Sequence, residues 1–531
     1  MTMEFTPRRD FLRIATAGLA GSVLPSAGAG AQTASTNSAP AAGSHNVKSY
    51  GATGDGQTID SPSVNKAIDA AASHGGGTVF FPAGTYLSYS IHLRSNVALY
   101  LDQGATILAA PPLPPGTTGG YDLAEPQNPA YESYQDYGHN HWHNSLIWGE
   151  DIHDFSILGP GLIWGKGLTR GWDRGPEARA ETPGVANKSI ALKNCYNVNL
   201  RDFSILHGGH FGILATGVDN LTIDNLTIDT NRDGMDIDCC RNVRVSNCSV
   251  NSPYDDGICP KSSFALGYAR PTEFVTISDC LVSGMVEGTL LDRTYKPFGG
   301  TGRIKFGTES NGGFRNITVA NCVFYNCHGF ALESEDGALL EDVTITNISM
   351  RDVVDAPLFL RLGSRMRGPV GVPVGTIKRV TISNVVSSGS HPRISSLISG
   401  VPGHPIEDLK LSNIHIHHQG GGTPEQANIV LPEKESAYPE PTMFGDTPSQ
   451  GIYFRHVKGL EASDIKITSE KADARPVFVL QDVENADFFR IKAPEAASGT
   501  TFALNQVTGF SIAGSRPISD TFVDRVEKKN L

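Results

Sequence analysis

The sequence predicts an all-β protein, a right-handed parallel β-helix with a short N-terminal capping helix. Three observations carry this: a recurring phrase with period-two alternation, a basal spacing of about 22 residues between phrases, and no amphipathic helices between them. The phrase runs Asn or Asp, apolar, polar, apolar, polar, Asn or Asp, then an apolar residue or Cys. It starts at Asn197, Asn220, Asn242, Phe274, Asn316, Asp342, Arg379 and Asp408, at intervals of 23, 22, 32, 42, 26, 37 and 29 residues. Alternation gives each phrase one buried strand face. So short a period leaves no room for crossover helices, so the strands stack coil upon coil and the longer intervals become loops.

The N-terminal 31 residues read as a twin-arginine export signal: Arg8-Arg9 before Phe11-Leu12, a short apolar run, and the small-residue site Ala29-Gly30-Ala31. The apolar run is too short for a retained membrane helix. A flexible lead over 32–45 and a β-helix domain over 46–531 follow. The expected destination is the periplasm or the outside of the cell, with no membrane attachment after signal removal, and the expected state is a monomer.

Asp60-Ser61-Pro62 begins the capping helix, whose apolar side is Val64, Ala67, Ile68 and Ala71, and Gly75-Gly76-Gly77 ends it. Strands follow at Thr78–Tyr86 and Val97–Leu101. Cys195, Cys248, Cys280 and Cys322 each follow Asn or Asp, which points to a ladder of buried thiols. Disulfides such as Cys239 with Cys240 or Cys322 with Cys327 are the alternative in an exported chain.

Composition limits the function. With 531 residues, 39% hydrophobic and 18% charged, the chain can bury a core and is not disordered. A net charge of -12 argues against nucleic acid as a partner. Asp233 and Asp255 lie 22 residues apart, one period, so stacking puts them on neighbouring rungs, with Asp256 beside them. Inverting glycoside hydrolysis needs a protonated carboxyl on the leaving oxygen and an ionised one holding water, roughly 6.5–9.5 Å apart. Crowded acids keep a proton available near neutral pH. The bland alternative makes these aspartates, and Asp236, turn formers at coil corners.

These motifs resemble glycoside hydrolase family 28, the polygalacturonase and rhamnogalacturonase group, over residues 46 to about 490. The likeness rests on Tyr50-Gly51-Ala52-Thr53-Gly54-Asp55-Gly56, on Phe81-Pro82-Ala83-Gly84-Thr85-Tyr86, and above all on Asn231-x-Asp233-Gly234 and Asp255-Asp256. It implies Asp255 as general acid, with Asp233 and Asp256 activating water. Some family features are missing. In place of Gly-His-Gly the chain has Gly284-Met285-Val286-Glu287-Gly288, where Glu287 takes the histidine's position. The Arg-Ile-Lys expected near Gly329–Glu333 is absent. Arg303-Ile304-Lys305 occurs one coil earlier and forms a candidate cation pair, since alternate residues share a face; a solvated surface pair is the alternative. Arg361, Arg365 and Arg367 are further candidate cations. These departures favour a neutral or mixed sugar end, such as rhamnose or a branched pectic oligosaccharide, over plain polygalacturonan.

Tyr134, Tyr137, His139, His141, Trp142, His143 and Trp148 crowd one inserted segment. Rings stack on sugar faces and imidazoles bond hydroxyls, so Trp142 and His143 are candidate subsite residues. Zinc on the three alternating histidines is the lesser reading, since no further ligand completes it; no metal or cofactor is expected. His210, 23 residues before Asp233, is a candidate for the adjacent subsite. Insertions at 111–144, 263–273 and 288–302 are expected to wall the groove, which points to exo-action on an oligo- or polysaccharide. The rivals are a uronate lyase or epimerase on the same fold and a non-catalytic carbohydrate-binding solenoid.

Overall fold

The computed structural model describes residues 43–114, 116–126, 128–136, 138–170, 182–494 and 499–531. The export signal, most of the lead over 32–45, and Tyr137 lie outside the described residues. The solenoid starts slightly earlier than the expected boundary at 46: Ser44–Asn46 is already a strand, paired in parallel with Gly77–Phe81.

Each central coil contains three strands. Phe211–Thr216, Asp219–Asp224 and Thr227–Asp229 make one coil, and Asp233–Asp238, Arg241–Ser246 and Ser249–Asn251 make the next. Corresponding strands pair in parallel, rung upon rung. The repeated phrase forms the middle strand. Its second residues align as one file, Val198, Leu221, Val243, Val275, Ile317, Val343, Val380 and Leu409, all buried in the core. Burying each such side chain contributes about 1.5–3 kcal/mol, so the file is a main source of stability.

The polar residues of the phrase shape its corners. Every phrase start has positive φ, from 50° at Asp408 to 58° at Asp342, and so does the second Asn/Asp position, as at Asn225, Asn247, Asp279 and Asn321. Asn and Asp tolerate this left-handed conformation better than other side-chain-bearing residues. Their amides also bond along the stack: Asn242 donates to Asn220 at 2.7 Å, and Asn220 to Asn197 at 2.8 Å.

All eight cysteines are buried free thiols. Cys248, Cys280 and Cys322 stack along one corner, because their strands are in register. Cys195 departs from the expected ladder. It stands at another corner, where Asp219 N bonds its carbonyl, just as Glu273 N bonds that of Cys240.

The capping helix spans Ser61–Ser73 and buries Val64, Ala67, Ile68 and Ala71. Asp60 does not cap it through its side chain. Its carboxylate instead accepts from Thr53 N at 2.7 Å and Gly54 N at 3.0 Å, tying the preceding turn to the helix start. At the far end, Thr521–Asn530 runs antiparallel to Phe502–Ala513 and covers the last rung. Among the described residues, no helix is long and apolar enough to cross a membrane.

Candidate active site

Strand Asp233–Asp238 and the following Ile258–Lys261 carry outward-facing polar side chains on successive rungs. Gly234 permits the close stacking: a Cβ there would meet Gly257 O at 2.3 Å and Val250 Cγ1 at 2.4 Å. With the rungs this close, Asp233, Asp255 and Asp256 converge, one oxygen of each lying within 4.8 Å of the others. This nearest approach is shorter than the carboxyl separation of an ordinary inverting pair.

The three acids have unlike surroundings. Asp256 accepts from Arg303 Nε at 2.9 Å and lies 3.4 Å from Lys305 Nζ. Burial opposes its charge, but Lys305, then Arg303 and Lys261, hold its pKa down at about 2. Burial pushes Asp233 well above the ordinary aspartate value, and the charges of Asp255 and Asp236 push it further. Asp255 is ion-paired with Arg232 and is the accessible member, its side chain 23% exposed against 3% for each of the other two. Of the three, Asp233 is the one whose surroundings favour the protonated form, whereas the family resemblance gives the acid's role to Asp255.

His210 lies where one period back should put it. It stacks on Phe211 at 4.2 Å and brings Nε2 to 3.9 Å from Asp233 Oδ2. Burial keeps it neutral, helped by Arg232 and His139. Arg303 and Lys305 do share a face, but they are buried against Asp256 and are not a solvated surface pair. Glu287 pairs with Arg170 and accepts from Asn231 Nδ2 at 3.4 Å. Its segment is fastened by Asp229, which accepts from Gly288, Leu290 and Leu291 N at 2.9, 2.9 and 3.0 Å.

Three expected site residues lie elsewhere. Trp142 is buried on the outer face of the sheet with Ala191, Phe211, Leu214 and Ala265, and donates to Thr216 at 3.0 Å, so its ring is closed to a sugar. His143 bonds Glu150 at 2.7 Å and lies tilted against Trp148, ring centres 4.0 Å apart. Trp148 stands in the file of Ala191, Leu214 and Asp236, three rungs from the acids, ~14 Å at the usual strand spacing. Arg361 donates to Ser399 Oγ, Gly400 O, Glu433 O and Lys434 O, a structural knot of carbonyls and hydroxyl. The Arg365 guanidinium donates to Asp336, and that of Arg367 to Asp136 at 2.6 Å. The alternating histidines diverge onto separate acids, His139 to Glu309 at 2.7 Å, His141 to Glu132 at 3.3 Å and His143 to Glu150, so they do not form one zinc site.

Several further site residues had no role assigned from sequence, and Asp236 was weighed there only against a turn-forming part. Lys261 lies 3.3 Å from Glu309 and 4.0 Å from Asp236. Burial raises Asp236 to about 7, against the pull of Lys261 and His139. Burial likewise lifts Glu333 to about 8, although Lys305 lies 3.6 Å away. Tyr438 and Glu440 come from a late loop and reach Lys305 and Arg303. Alternation on the acid-bearing strands could have found Lys261; loop residues such as Glu440 carry no periodic signal. As possible cation ligands, His139, His210 and Asp233 also bring their atoms within 4.8 Å of one another.

The description "Rhamnogalacturonase A/epimerase, pectate lyase-like" matches residues 44–116, and "Right handed beta helix region" matches residues 184–296. The chain is 23% identical to a probable polygalacturonase of Vitis vinifera, covering 76% of this chain and 80% of that protein. It is 24% identical to an exo-poly-alpha-D-galacturonosidase of Dickeya chrysanthemi, covering 66% and 63% respectively. The family 28 exopolygalacturonase structure of Yersinia enterocolitica superposes with a TM-score of 0.61 at 20% identity, over 83% of this chain and 78% of that one. With its paired acidic motifs and parallel coils, the chain is a glycoside hydrolase family 28-like protein.

Proposed function

We propose that this pectin-acting glycosidase cleaves an α-glycosidic bond at the end of a pectic or related glycan, using Asp233, Asp255 and Asp256, with inversion at the anomeric carbon. The observation that carries the reading is the convergence of the three carboxyls within 4.8 Å in unlike surroundings. Asp256, ionised under Lys305 and Arg303, orients a water and takes its proton as the water attacks the anomeric carbon. Asp255, the accessible member, delivers a proton to the departing glycosidic oxygen, and Asp233, which burial and the charge of Asp255 bias toward its protonated form, lies close enough to share it.

End-cleavage is supported by the late loop, whose Tyr438 and Glu440 close over Lys305 and Arg303. The chain is read as exported through its twin-arginine signal and as acting as a monomer.

The test is Asp255→Asn, followed on pectic oligosaccharides by mass and anomeric NMR. The expected result is retained binding with turnover lowered by about 10²–10⁴-fold, and an inverted anomer from the unaltered protein. Unchanged turnover in the variant overturns the acid assignment, and a retained anomer overturns direct displacement. Binding with no turnover on any glycan favours the carbohydrate-binding solenoid.

A further inference from the structure

One carboxylate bridges the cations of the cleft. Glu440 Oε1 accepts from Arg303 Nη2 at 2.5 Å and lies 3.8 Å from Lys305 Nζ, while its Oε2 lies 3.8 Å from His328 Nδ1. Lys305 also donates to Tyr438 Oη at 3.3 Å, and its ammonium lies 5.1 Å from that ring's centre. Burial works against the charge of Glu440, yet Arg303, Lys305 and His328 hold its pKa below the usual glutamate value.

Two features separate this arrangement from an ordinary internal ion pair. Arg303 and Lys305 belong to the coil next to the acids, whereas Glu440 arrives 137 residues after Arg303, on a segment outside the strands. Its Oε2 is buried without a hydrogen bond while the side chain as a whole stays 25% exposed, so one oxygen bonded to Arg303 and the surrounding positive charge hold it at the edge of the cleft. A uronate carboxylate would present the same two oxygens and the same charge to the same two cations and to the His328 ring.

We propose that Glu440 fills the anion seat formed by Arg303, Lys305 and His328, so that the sugar accepted over Asp255 carries no ionised carboxyl. The substrate end is then a deoxy, hydroxymethyl or esterified sugar. The proposal rests on the hydrolytic reading above and adds the device that selects the substrate. An ionised uronate would have to expel Glu440 and would then face Asp255 and Asp256. Lys261 and Arg232 offer it no substitute seat, because Glu309 and Asp255 already engage them.

The experiment uses α-linked oligosaccharides identical except for the terminal sugar: free galacturonic acid, its methyl ester, and the carboxyl-reduced form. kcat/KM is measured at pH 7 for the unaltered protein, Glu440→Gln and Glu440→Ala, with thermal midpoints confirming that each is folded. The unaltered protein is expected to favour the ester over the acid at least tenfold, and both variants to cut that ratio at least fivefold. A preference for the acid, or a ratio unmoved by either variant, overturns the proposal. If neither this series nor its rhamnose-terminated counterpart is cleaved, the hydrolytic reading fails, and calorimetric titration with galacturonate decides the seat: tighter binding to Glu440→Ala than to the unaltered protein supports it, and equal or weaker binding overturns it.

Discussion

Arg303 Nε lies 2.9 Å from Asp256 Oδ1, both side chains all but sealed from solvent. With Lys305, the guanidinium favours the ionised form of this carboxylate, and it does so from the neighbouring coil. Breaking a buried pair leaves an uncompensated charge, which costs far more than the pair contributes.

Arg303→Met should therefore raise the pKa of Asp256 from about 2 toward the ordinary 3.8 and beyond. The acidic limb of the kcat profile should move to higher pH, with kcat at pH 3 falling about fivefold or more. Because the native pKa is depressed, this carboxylate contributes stability above pH 4, about 2 kcal/mol from the size of the shift. That contribution is lost as pH falls from 4 toward 2, and thermal melts of both proteins across this window check it.

Asp233→Asn should separate activity from stability. Burial raises the Asp233 pKa, so its ionisation destabilises the fold as pH rises toward that raised value. The neutral amide escapes this cost. The variant should melt no lower than the unaltered protein at pH 8, while turnover drops by about 10²-fold or more. A clear loss of stability at pH 8 would contradict the charge assignment.

Asp229→Ala should loosen the 284–300 segment. Its carboxylate accepts three backbone N–H groups there, and the Asn251 amide at 2.8 Å. Leaving buried donors unpaired costs about 1–3 kcal/mol each. Hydrogen exchange and limited proteolysis should localise the change to this segment and leave the core file protected.

Phe274→Asn should raise the thermal midpoint. Phe274 sits at φ 56°, half exposed, between coils whose equivalents are Asn242 and Asn316. Asparagine tolerates that conformation and can join the corner amides, a gain of about 0.5–1 kcal/mol. A lowered midpoint would show that the ring's packing outweighs its backbone strain.

Legibility in the sequence followed periodicity. The phrases beginning at Asn220 and Asn242 announced both the buried file and the left-handed corners, because the same Asn that tolerates positive φ also bonds its neighbour in the stack. Asp233 and Asp255 were legible for the same reason: one period separates them. Trp142 was misread because an aromatic residue in an insertion looks the same from sequence whether it faces a groove or packs on the sheet. Arg361 was misread because its partners are backbone carbonyls of a segment about 70 residues later. The role of Glu440 was unreadable for want of any repeat in the loop that carries it.

The reversed final strand, Thr521–Asn530, bears on assembly. A parallel solenoid can in principle lengthen by docking one molecule's opening rung on another's closing rung, as fibrils grow. Here the terminal rung offers an antiparallel backbone with Lys528 and Lys529 near its end, and a second molecule's parallel ladder finds neither matching direction nor an uncharged margin. The reversed, lysine-bearing edge thereby disfavours docking of another parallel ladder along this strand.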